Sequence, residues 1–469
     1  MNYWLIIFAG IYLSALIYSA YKSKISIKSE KDYALPKVGV ILGFLTFSAT
    51  LFSTFTLMGM PDFFRTHGVG AWVFLGVTDT ALAFVTLWFG LSLRRKYSKK
   101  NFTNVSNIIR DRYGNNLPVY IYRFGIFVFL IPYVAIQIKG IAAFIDFSNI
   151  LAIPEWAWAT LFLVIILSYS YVGGLKAIIV SDAIQGVTLL IVTTIIAYTC
   201  VINIGGFESF FAELATNKPQ LLSIPGPKGL LTSQFLFSSF IVIILMPISQ
   251  PQLLTRIVIM NSQKDTKRMA VAVSIFAFLI IMPTIFIGLY GALRYADSST
   301  DAFLFNTLVT EQHAIIGALA IIGLIAAAMS TVDSQLFAIQ AEVANYKKSK
   351  NNNKLLIIGF GLVALLLSIF TTKELVLLAR VSFAGTALLA PMIFTAIFSN
   401  QKHSNILPYV TFASLILYVL SSFSAWIPSV ILGIRLDMIL LLVCTIVAML
   451  QFMIYKSAPV YLEETIKSE

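Results

Sequence analysis

Small residues and hydroxyl side chains share one face of a predicted helix in the second half of the chain. Within the segment Gly323 to Gln335, Ala327, Ser330 and Thr331 stand at positions i, i+3 and i+4. Two hydroxyl oxygens beside small residues suit a hard cation such as sodium, which prefers oxygen ligands. The same pattern is typical of a face that lets two helices pack closely. The residues alone favour neither interpretation.

A second apolar segment, near the N-terminus, contains a polar and flexible patch. Its polar, glycine and proline residues are Ser48, Thr50, Ser53, Thr54, Thr56, Gly59 and Pro61. Irregular backbone at membrane depth must be buried in protein or line a cavity, because hydrocarbon cannot satisfy free carbonyl groups. Transporters bind ions at such breaks. The alternative is that each hydroxyl bonds a carbonyl of its own helix.

Carboxylates inside apolar segments are further candidates for ion binding. Asp182 lies within an apolar run, where a charged group is costly enough to be a functional candidate. Asp333 follows Thr331 by two residues. It could contribute to a second ion site, pair with a basic residue, or have a structural role at a helix end.

A lysine and a glutamine lie deep in another apolar run and bear on the solute. The cation of Lys139, two residues after Gln137, needs an anionic partner at membrane depth. Asp79, Asp182 or the carboxylate of a solute could supply it. Alternatively, the long lysine side chain reaches an interface.

The composition places all of these residues in a membrane. Of the 469 residues, 58% are hydrophobic and 12% charged, and the mean hydropathy is +0.87. A soluble domain carries about 25% charged residues. A membrane-spanning helix needs about 20 apolar residues. Thirteen runs approach that length: 3–21, 38–64, 70–93, 118–147, 155–172, 177–204, 231–250, 268–295, 312–345, 354–371, 374–398, 406–426 and 431–455.

Basic clusters test this count, because cytoplasmic loops carry an excess of Lys and Arg. The main clusters follow the first, third, seventh and ninth runs: Lys22 to Lys37, Arg94 to Lys100 with Arg110 and Arg112, Arg256 to Arg268, and Lys347 to Lys354. Smaller basic loops at Lys176 and Lys402 also follow odd-numbered runs. The loop with Asp297 and Asp301 follows an even one. The pattern predicts an external N-terminus and a cytoplasmic C-terminus.

Other classes of protein lack support in the sequence. The formal charge of +12 is spread over short clusters between apolar runs, which argues against a nucleic-acid partner. Cys200 and Cys444 both fall in apolar runs and indicate neither a disulfide framework nor a cysteine metal site. We find no metalloprotease motif and no repeated pore motif. An enzyme or a channel is therefore not predicted.

Three motifs, in this order, resemble the sodium/solute symporter family over essentially the whole chain. They are Ala49-Thr-Leu-Phe-Ser53 followed by Leu57-Met-Gly-Met-Pro61, then Gly173-Gly-Leu-Lys-Ala-Ile-Ile-Val-Ser-Asp-Ala-Ile-Gln185, and Ala327-Ala-Met-Ser-Thr331 with Asp333-Ser-Gln335. The resemblance implies an all-α integral membrane protein with a LeuT-type core of two inverted five-helix repeats and a broken second helix. It assigns the repeats to residues 38–204 and 231–398. Residues 1–37 would form an extra N-terminal helix and basic loop, and residues 399–469 two extra helices and a short tail.

The resemblance also implies a ligand set for sodium. Matched by motif, the ligands are the backbone carbonyls of Ala49, Phe52 and Ala327 and the hydroxyls of Ser330 and Thr331. In the family, an acid matching Asp182 lies along the inner sodium route, and some members bind a second sodium there. Asp333 stands where those relatives have a hydroxyl. A second ion site or ion route would therefore comprise Asp182, Asp333 and Ser334.

The solute is less defined by the sequence. The segment Ile131-Pro-Tyr-Val-Ala-Ile-Gln137 resembles the monocarboxylate and pantothenate branch of the family more than the sugar branch. The residues predicted to contact the solute are Ser53, Thr56, Asp79, Gln137, Lys139 and Gln250.

These observations predict a sodium-coupled symporter, not an enzyme, that imports a small solute by alternating access. The preferred solute is a monocarboxylate or another carboxylate-bearing molecule. The alternatives are a sugar, sialic acid or an amino acid such as proline, or proton coupling through Asp182 or Asp333. Sodium is the expected cofactor, without an organic one. The expected partners are the solute and the lipid bilayer of the bacterial inner membrane, and the chain is expected to function as a monomer without nucleic acid.

Overall fold

The protein is almost entirely helical. The computed structural model describes residues 2–26, 37–97, 104–148, 153–343, 350–371, 374–399, 403–424 and 426–456. Its helices are α1 Asn2–Ser26, α2 Val40–Leu51, α3 Met60–His67, α4 Thr78–Tyr97, α5 Val105–Tyr113, α6 Leu117–Ser148, α7 Glu155–Asn203, α8 Phe207–Asn217, α9 Ser233–Ile244, α10 Met246–Ser249, α11 Pro251–Val258, α12 Gln263–Arg294, α13 Thr300–Phe305, α14 Ala314–Val343, α15 Lys350–Phe370, α16 Leu375–Ala387, α17 Ala390–Phe398, α18 Ile406–Val419 and α19 Leu436–Lys456.

Shorter elements connect or extend these helices. Single π-helical turns occupy Phe55–Gly59, Val73–Val77, Asn306–Thr310 and Leu420–Ser424, and a 3₁₀ turn occupies Pro219–Leu222. The described strands, β1 Val430–Ile431 and β2 Ile434–Arg435, form an antiparallel hairpin before α19. The π turn at Phe55–Gly59 connects α2 to α3, so it lies at the predicted helix break.

Each of the thirteen predicted apolar runs contains an apolar helix in the part of the chain that the structure describes. Of the described helices, eight are long and apolar enough to cross a membrane, and the bent pair Val40–Leu51 and Phe55–His67 is a ninth when it is counted as one span. Four shorter apolar helices correspond to the remaining runs: Tyr3–Tyr18, Glu155–Ser168, Ser233–Ile244 and Leu355–Phe370. The protein is therefore a multi-pass membrane protein, and the count of thirteen spans stays a prediction.

Side-chain contacts divide the bundle into two ends. At one end, Lys37 donates a hydrogen bond to the last carbonyl of α11, and Arg94 donates to a carbonyl just after α11. Lys96 donates to the carbonyl that follows α17. We call this the basic end. At the other end, α3 contacts the segment between α7 and α9, where Val69 donates to the carbonyl of Leu221. We call this the loop end. Parts of the predicted basic clusters, including residues 347–349 and 402, lie outside the described residues.

Helix α7 contains both the fifth and the sixth predicted runs. Its backbone is helical throughout from Glu155 to Asn203. Glu155 interacts electrostatically with Asp301, and Asn203 hydrogen-bonds Tyr290. Both partners belong to the loop end. Because the two ends of α7 lie at the same end of the bundle, its two apolar segments run in opposite directions, as two separate spans would.

The seventh span is longer than the sequence predicted. The predicted run ended at residue 250, and Arg256 was assigned to a basic loop. In the structure the chain turns at Gln250, which is extended, and continues into α11 with Arg256 fully buried. Pro251 begins α11, where its missing N–H is tolerated and its fixed φ suits the first helical turn. The seventh span is therefore a second broken helix.

Burial separates central helices from peripheral ones. In the most apolar window of each span, 78% of the residues of α6 and of α14 are buried, against 33% in the span of α18 and 22% in that of α19. The central helices therefore pack on protein, while α18 and α19 expose apolar side chains as lipid-facing helices do. The helix breaks are surrounded by the central helices. The predicted boundaries of the two repeats stay a prediction.

A close contact between α16 and α6 provides a test of this packing. Gly385 of α16 lies against the ring of Phe129 on α6, and an added Cβ would overlap that ring. We expect Gly385→Ala to lower the free energy of unfolding by about 1–3 kcal/mol, as overpacking of a dense core does. The melting temperature of the purified protein measures this. Gly359→Ala on α15 is the matched control, because nothing lies within 4 Å of the added Cβ. Equal melting temperatures for the two variants would contradict this packing.

Candidate functional site

The second span is broken at Phe52. Helix α2 ends at Leu51, and Phe52 is extended, with φ −96° and ψ 125°. Helical geometry resumes in the π turn that begins at Phe55, and the two halves meet at 55°. Hydroxyl residues accommodate this break because Ser and Thr can bond nearby backbone groups and so compete with the helix. The predicted break is present, and it leaves backbone groups without partners in their own helix.

Side chains of α6 bind the exposed backbone of the break. The hydroxyl of Tyr133 donates to the carbonyl of Leu51 at 3.1 Å, and Oε1 of Gln137 accepts from the backbone N–H of Thr54 at 3.2 Å. Gln137 also donates to the carbonyl of Tyr133 at 3.2 Å. All four residues are buried. In this structure Gln137, a predicted solute residue, supports the broken backbone.

Two other predicted solute residues lie within the break itself. The hydroxyl of Thr56 accepts from the N–H of Ser53 at 3.2 Å, and the hydroxyl of Ser53 accepts from the N–H of Phe55 at the same distance. Both side chains are buried. They satisfy local N–H groups that the break has removed from the helix.

The hydroxyl face of α14 lies against the break. Ser330 donates toward the carbonyl of Ala49 at 3.4 Å, a long contact, and also hydrogen-bonds Asp182. The hydroxyl of Thr331 is buried and has no hydrogen-bond partner among the described residues. Ala327 precedes Ser330 by one turn and is also buried. The structure therefore brings a carbonyl of the break beside the two predicted hydroxyl ligands.

Asp182 is the most connected acid of the site. Its carboxylate accepts from the hydroxyls of Thr46 on α2 and Ser330 on α14, and it pairs with Nη2 of Arg256 at 3.2 Å. The side chains of Asp182 and Arg256 are both 0% exposed. One buried carboxylate thus joins α2, α7, α11 and α14. Phe52, the remaining predicted sodium ligand, is the extended residue that follows α2 at the break.

Arg256 is the functional candidate that sequence reasoning missed. It donates to the hydroxyl of Ser334 at 2.7 Å, and Ser334 in turn lies 3.3 Å from the hydroxyl of Thr50. The Nε and Nη1 atoms of Arg256 are buried without hydrogen-bond partners among the described residues. The sequence signal was present, because an arginine followed by apolar residues in the run Leu253 to Ile259 could continue a span instead of ending one.

Asp333, the second predicted acid, is also inside the protein. It is 1% exposed and lies ten residues before the end of α14 at Val343. This position is too far from the helix terminus for a capping role. Its neighbour Ser334 reaches Arg256, so the predicted second-ion residues Asp182 and Ser334 are linked through that arginine.

A small cavity adjoins the break on the side of α4 and α16. Its volume is about 10 Å³, room for about one water molecule. Its lining residues are Leu51, Phe55, Phe74, Leu75, Asp79, Tyr133, Ile243, Met246 and Phe383. Asp79 is the one ionisable carboxylate in this otherwise mostly apolar lining. The structure therefore places this predicted solute residue at the break, in a closed form without room for a solute.

The break in the seventh span holds the remaining glutamine. Gln250 donates to the hydroxyl of Thr386 on α16 at 3.3 Å and accepts from Gln252 at 2.7 Å. Gln250 is extended between α10 and α11, and its side chain attaches the second break to α16, whereas at the first break side chains of α6 bind the backbone.

Lys139 lies away from this group of residues. Its amine hydrogen-bonds the carbonyl of Thr371, which follows α15, and it is only partly buried. Its electrostatic neighbours include Glu155 and Asp301 at the loop end. The structure does not join Lys139 to Asp79 or Asp182 by a hydrogen bond among the described residues. Its position corresponds to the alternative in which the side chain reaches toward an interface.

Both ends of the site are closed. At the basic end, Val38 exchanges backbone hydrogen bonds with Ile259 and Asn261 at 2.9 and 3.0 Å. At the loop end, Arg65 donates to Asp62, to the hydroxyl of Thr300 and to carbonyls that follow α12. The ends of α2 and α3 are therefore tied to the second half of the chain on both sides of the break.

The architecture and the motifs together assign the chain to a family. The sequence profile of the Sodium:solute symporter family matches residues 37–405. The chain belongs to the sodium:solute symporter family.

Curated relatives share low identity with this family member. The sodium/pantothenate symporter of Haemophilus influenzae is 23% identical over 302 residues, covering 62% of this chain and 60% of the relative. The high-affinity proline transporter PutP of Bacillus subtilis is 23% identical over 409 residues, covering 84% and 80%. The aligned part thus spans about three-fifths of the Haemophilus protein's length.

Solved structures show the same fold. A sodium-coupled sialic acid symporter in a substrate-bound outward-open state superposes with a TM-score of 0.72 at 19% identity, covering 96% of this chain and 98% of that one. A nucleobase–cation symporter in a closed conformation, with bromovinylhydantoin bound, gives a TM-score of 0.56 at 13% identity, covering 92% and 96%. These likenesses confirm the predicted symporter fold.

The buried pair of Asp182 and Arg256 generates a prediction for this symporter in sodium-free buffer. Asp182→Asn leaves a buried cation without its partner, so we expect the free energy of unfolding to fall by about 3–5 kcal/mol. The double variant Asp182→Asn with Arg256→Met should recover much of that loss, since it leaves neither charge unpaired. Melting temperatures of the purified variants measure the coupling.

The exposed pair of Arg294 and Glu213 provides the matched control. Its side chains are 40% and 27% exposed, so Arg294→Gln with Glu213→Gln should change stability by less than about 1 kcal/mol. Losses that simply add in the double variant of Asp182 and Arg256 would contradict a coupled buried pair.

Proposed function

We propose that this protein is a sodium-coupled symporter that imports a small carboxylate-bearing solute by alternating access. The observation that carries the proposal is the position of Ser330, which contacts both the carbonyl of Ala49 at the helix break and the carboxylate of Asp182. Family membership supports transport, and the arrangement of oxygens supports sodium as the coupling ion.

The proposed sodium ligands are neutral oxygens from two elements. The carbonyls of Ala49 and Phe52 belong to the break, and the carbonyl of Ala327 and the hydroxyls of Ser330 and Thr331 belong to α14. Oxygen ligands without full charge suit a monovalent ion that must be released again. The unpartnered hydroxyl of Thr331 supports this set, because a buried polar atom without a hydrogen bond is costly unless a ligand completes it.

The ion pair of Asp182 and Arg256 couples the release of sodium to formation of the closed form. A sodium ion near Ser330 would share the Asp182 carboxylate with the guanidinium, and each cation would weaken the hold of the other by charge repulsion. We propose that Arg256 replaces the ion as the partner of Asp182 when sodium leaves. The carboxylate is then never buried without a cation.

Alternating access requires the two closed ends to open in turn. The ties of Arg65 at the loop end and of Val38 at the basic end both hold segments that flank the break. We propose that sodium binding stabilises the form open at the loop end and raises the affinity for solute. By thermodynamic linkage, solute must raise sodium affinity by the same factor.

The proposed solute carries a hydrogen-bond donor in addition to a carboxylate. Asp79 faces the cavity at the break, and its carboxyl oxygens can accept a hydrogen bond from an O–H or N–H group of the solute. Pantothenate and proline, named for two relatives, combine a carboxylate with O–H or N–H groups. A sugar or sialic acid is the alternative for the same cavity, and the neighbouring sialic acid symporter is of that kind. A proton is the alternative coupling ion, through Asp182 or Asp333.

We propose the loop end as the external face in a bacterial inner membrane. Lys37, Arg94, Lys96 and Arg112 gather at the opposite end, and cytoplasmic loops carry the excess of basic residues. The N-terminus is then external and the C-terminus cytoplasmic.

The sodium ligands generate the most direct prediction. Ser330→Ala and Thr331→Ala each remove one oxygen and leave the helix intact. We expect the apparent sodium affinity to fall about ten- to a hundredfold, since one ligand contributes about 1–3 kcal/mol. Sodium activation of uptake into proteoliposomes measures this. Ser368→Ala is the control, because that buried hydroxyl bonds its own helix at the carbonyl of Leu365. Unchanged activation in both ligand variants would remove this site.

A panel of solutes tests the substrate and the ion together. Uptake of acetate, pyruvate, pantothenate, proline, glucose and sialic acid is measured with sodium, potassium or a proton gradient as the driving force. We expect sodium-driven uptake of pantothenate or proline, and Asp79→Asn should raise the KM for that solute about tenfold while sodium activation persists. Uptake driven by protons alone, or sodium-driven uptake of glucose alone, would contradict the proposal.

A further inference from the structure

A second, larger cavity lies at the loop end, outside the contacts of Arg65 with Asp62 and Thr300, which we call the gate. Its volume is about 540 Å³, within the range of about 300–1,000 Å³ that is typical of sites for small ligands. Its lining residues include Arg65, Asn217, Lys218, Leu221, Lys228 and Ala292. Because these residues come from α3, from the segment between α8 and α9, and from the end of α12, we call it the loop-end cavity.

The walls of the loop-end cavity are fixed to each other. Val69, just after α3, donates to the carbonyl of Leu221 at 2.7 Å. Gly68 packs directly on Leu221 with φ +83°, a conformation that favours glycine. Arg294 of α12 binds both carboxylate oxygens of Glu213 on α8, at 3.1 Å to the second oxygen. The cavity is therefore preformed by three elements that hydrogen bonds hold together.

The lining of the loop-end cavity is positively charged. Among the described residues that line the cavity, three are cations, Arg65, Lys218 and Lys228, and none is a carboxylate. The donors of Arg65 are already used by Asp62, Thr300 and two carbonyls, so it contributes positive charge more than free hydrogen bonds. The two lysines have ammonium groups that can donate to an incoming anion.

In the described part of the chain, one acid competes with an incoming anion for the amine of Lys228. Glu374 lies 3.7 Å from its amine, and the Lys228 side chain is 60% exposed. The hydrogen bond from His67 at 3.2 Å holds the pKa of Glu374 below its ordinary value, so this carboxylate stays charged at neutral pH. At 3.7 Å the contact with Lys228 is a long, exposed ion pair, which contributes little and can be exchanged for another anion.

The cavity stands directly above the gate to the central site. Below Arg65, a cavity of about 20 Å³ is lined by Asp62, Thr300 and Glu374, and it reaches Met58 and Gly59 at the helix break. The Arg65 contacts with Asp62 and Thr300 separate the two cavities. A solute moving along α3 from the loop end to the break would pass this point.

We propose that the loop-end cavity is a peripheral binding site for the carboxylate of the transported solute, with Lys218 and Lys228 as its ligands. This rests on the proposed function, in which the loop end is external and the solute is anionic in part. The apolar walls at Pro219, Leu221 and Ala292 accommodate the body of a small organic acid. Binding here needs no sodium, and it concentrates solute at the gate by electrostatic attraction.

Uptake kinetics of Lys218→Gln with Lys228→Gln test the site, with D-pantothenate and L-proline as probes. We expect KM to rise about three- to tenfold, while kcat and sodium activation stay as in the wild type. For D-pantothenate, which carries a net negative charge, the dependence of KM on ionic strength should become flatter, because screened long-range attraction is what the lysines supply. Lys264→Gln with Lys267→Gln makes the same charge change on exposed residues at the basic end, and it should leave KM unchanged.

A binding measurement separates this site from the transport cycle. Asn217→Cys, labelled with an environment-sensitive fluorophore, reports on the cavity in sodium-free buffer, since the native Cys200 and Cys444 are buried. We expect D-pantothenate or L-proline to change the fluorescence, and the lysine double variant to lose that response.

Different results in these experiments would overturn the peripheral site and the proposed function. Normal sodium-driven uptake with unchanged KM and unchanged ionic-strength dependence in the lysine variant would overturn the peripheral site alone. Absence of sodium-driven uptake in the wild type would overturn the proposed function, whatever the label reports. An equal fluorescence response to chloride or inorganic phosphate would overturn selection of an organic carboxylate.

Discussion

The need to satisfy backbone groups at a break inside the membrane shapes the rest of this structure. Where α2 ends at Leu51, hydrocarbon offers no partner for free carbonyl and N–H groups, so protein must supply one. Tyr133 and Gln137 of α6 do so on one side, and Ser330 of α14 contacts the carbonyl of Ala49 on the other. The break is therefore possible because α6 and α14 are central helices, and the same oxygens that need partners are available to an ion.

A second constraint comes from charge. Asp182 and Arg256 are fully buried, and a buried charge is stable only with a partner and further hydrogen bonds. Thr46, Ser330 and Ser334 provide those bonds from helices that must move relative to each other if access alternates. An ion that competes for Asp182 therefore acts on α2, α11 and α14 at once. In the proposed function, sodium changes which end of the bundle is open by competing for this carboxylate.

The sequence predicted much of this architecture for identifiable reasons. Apolar runs located the apolar helices, because the length of a membrane-spanning helix follows directly from membrane thickness. The hydroxyl patch around Ser53 predicted the helix break, and the hydroxyl face at Ser330 predicted an ion-binding surface on the helix beside it. Arg256 was missed because a lysine- and arginine-rich segment follows it, so local composition assigned it to a loop; its partner Asp182 is 74 residues distant. The position of Lys139 at the loop end, and the Arg65 gate, likewise depend on contacts between distant segments that no local pattern encodes.

The central proposal is that sodium binds between the break and α14 and does not need the solute in order to bind. The most direct measurement is the melting temperature of the purified wild-type protein, without solute, as sodium replaces potassium at constant ionic strength. A ligand that binds the folded state alone adds about 1.4 kcal/mol of stability for each tenfold rise above its Kd. We expect a progressive rise in melting temperature with sodium, and little change when choline replaces potassium. Equal stabilisation by sodium, potassium and choline would contradict it.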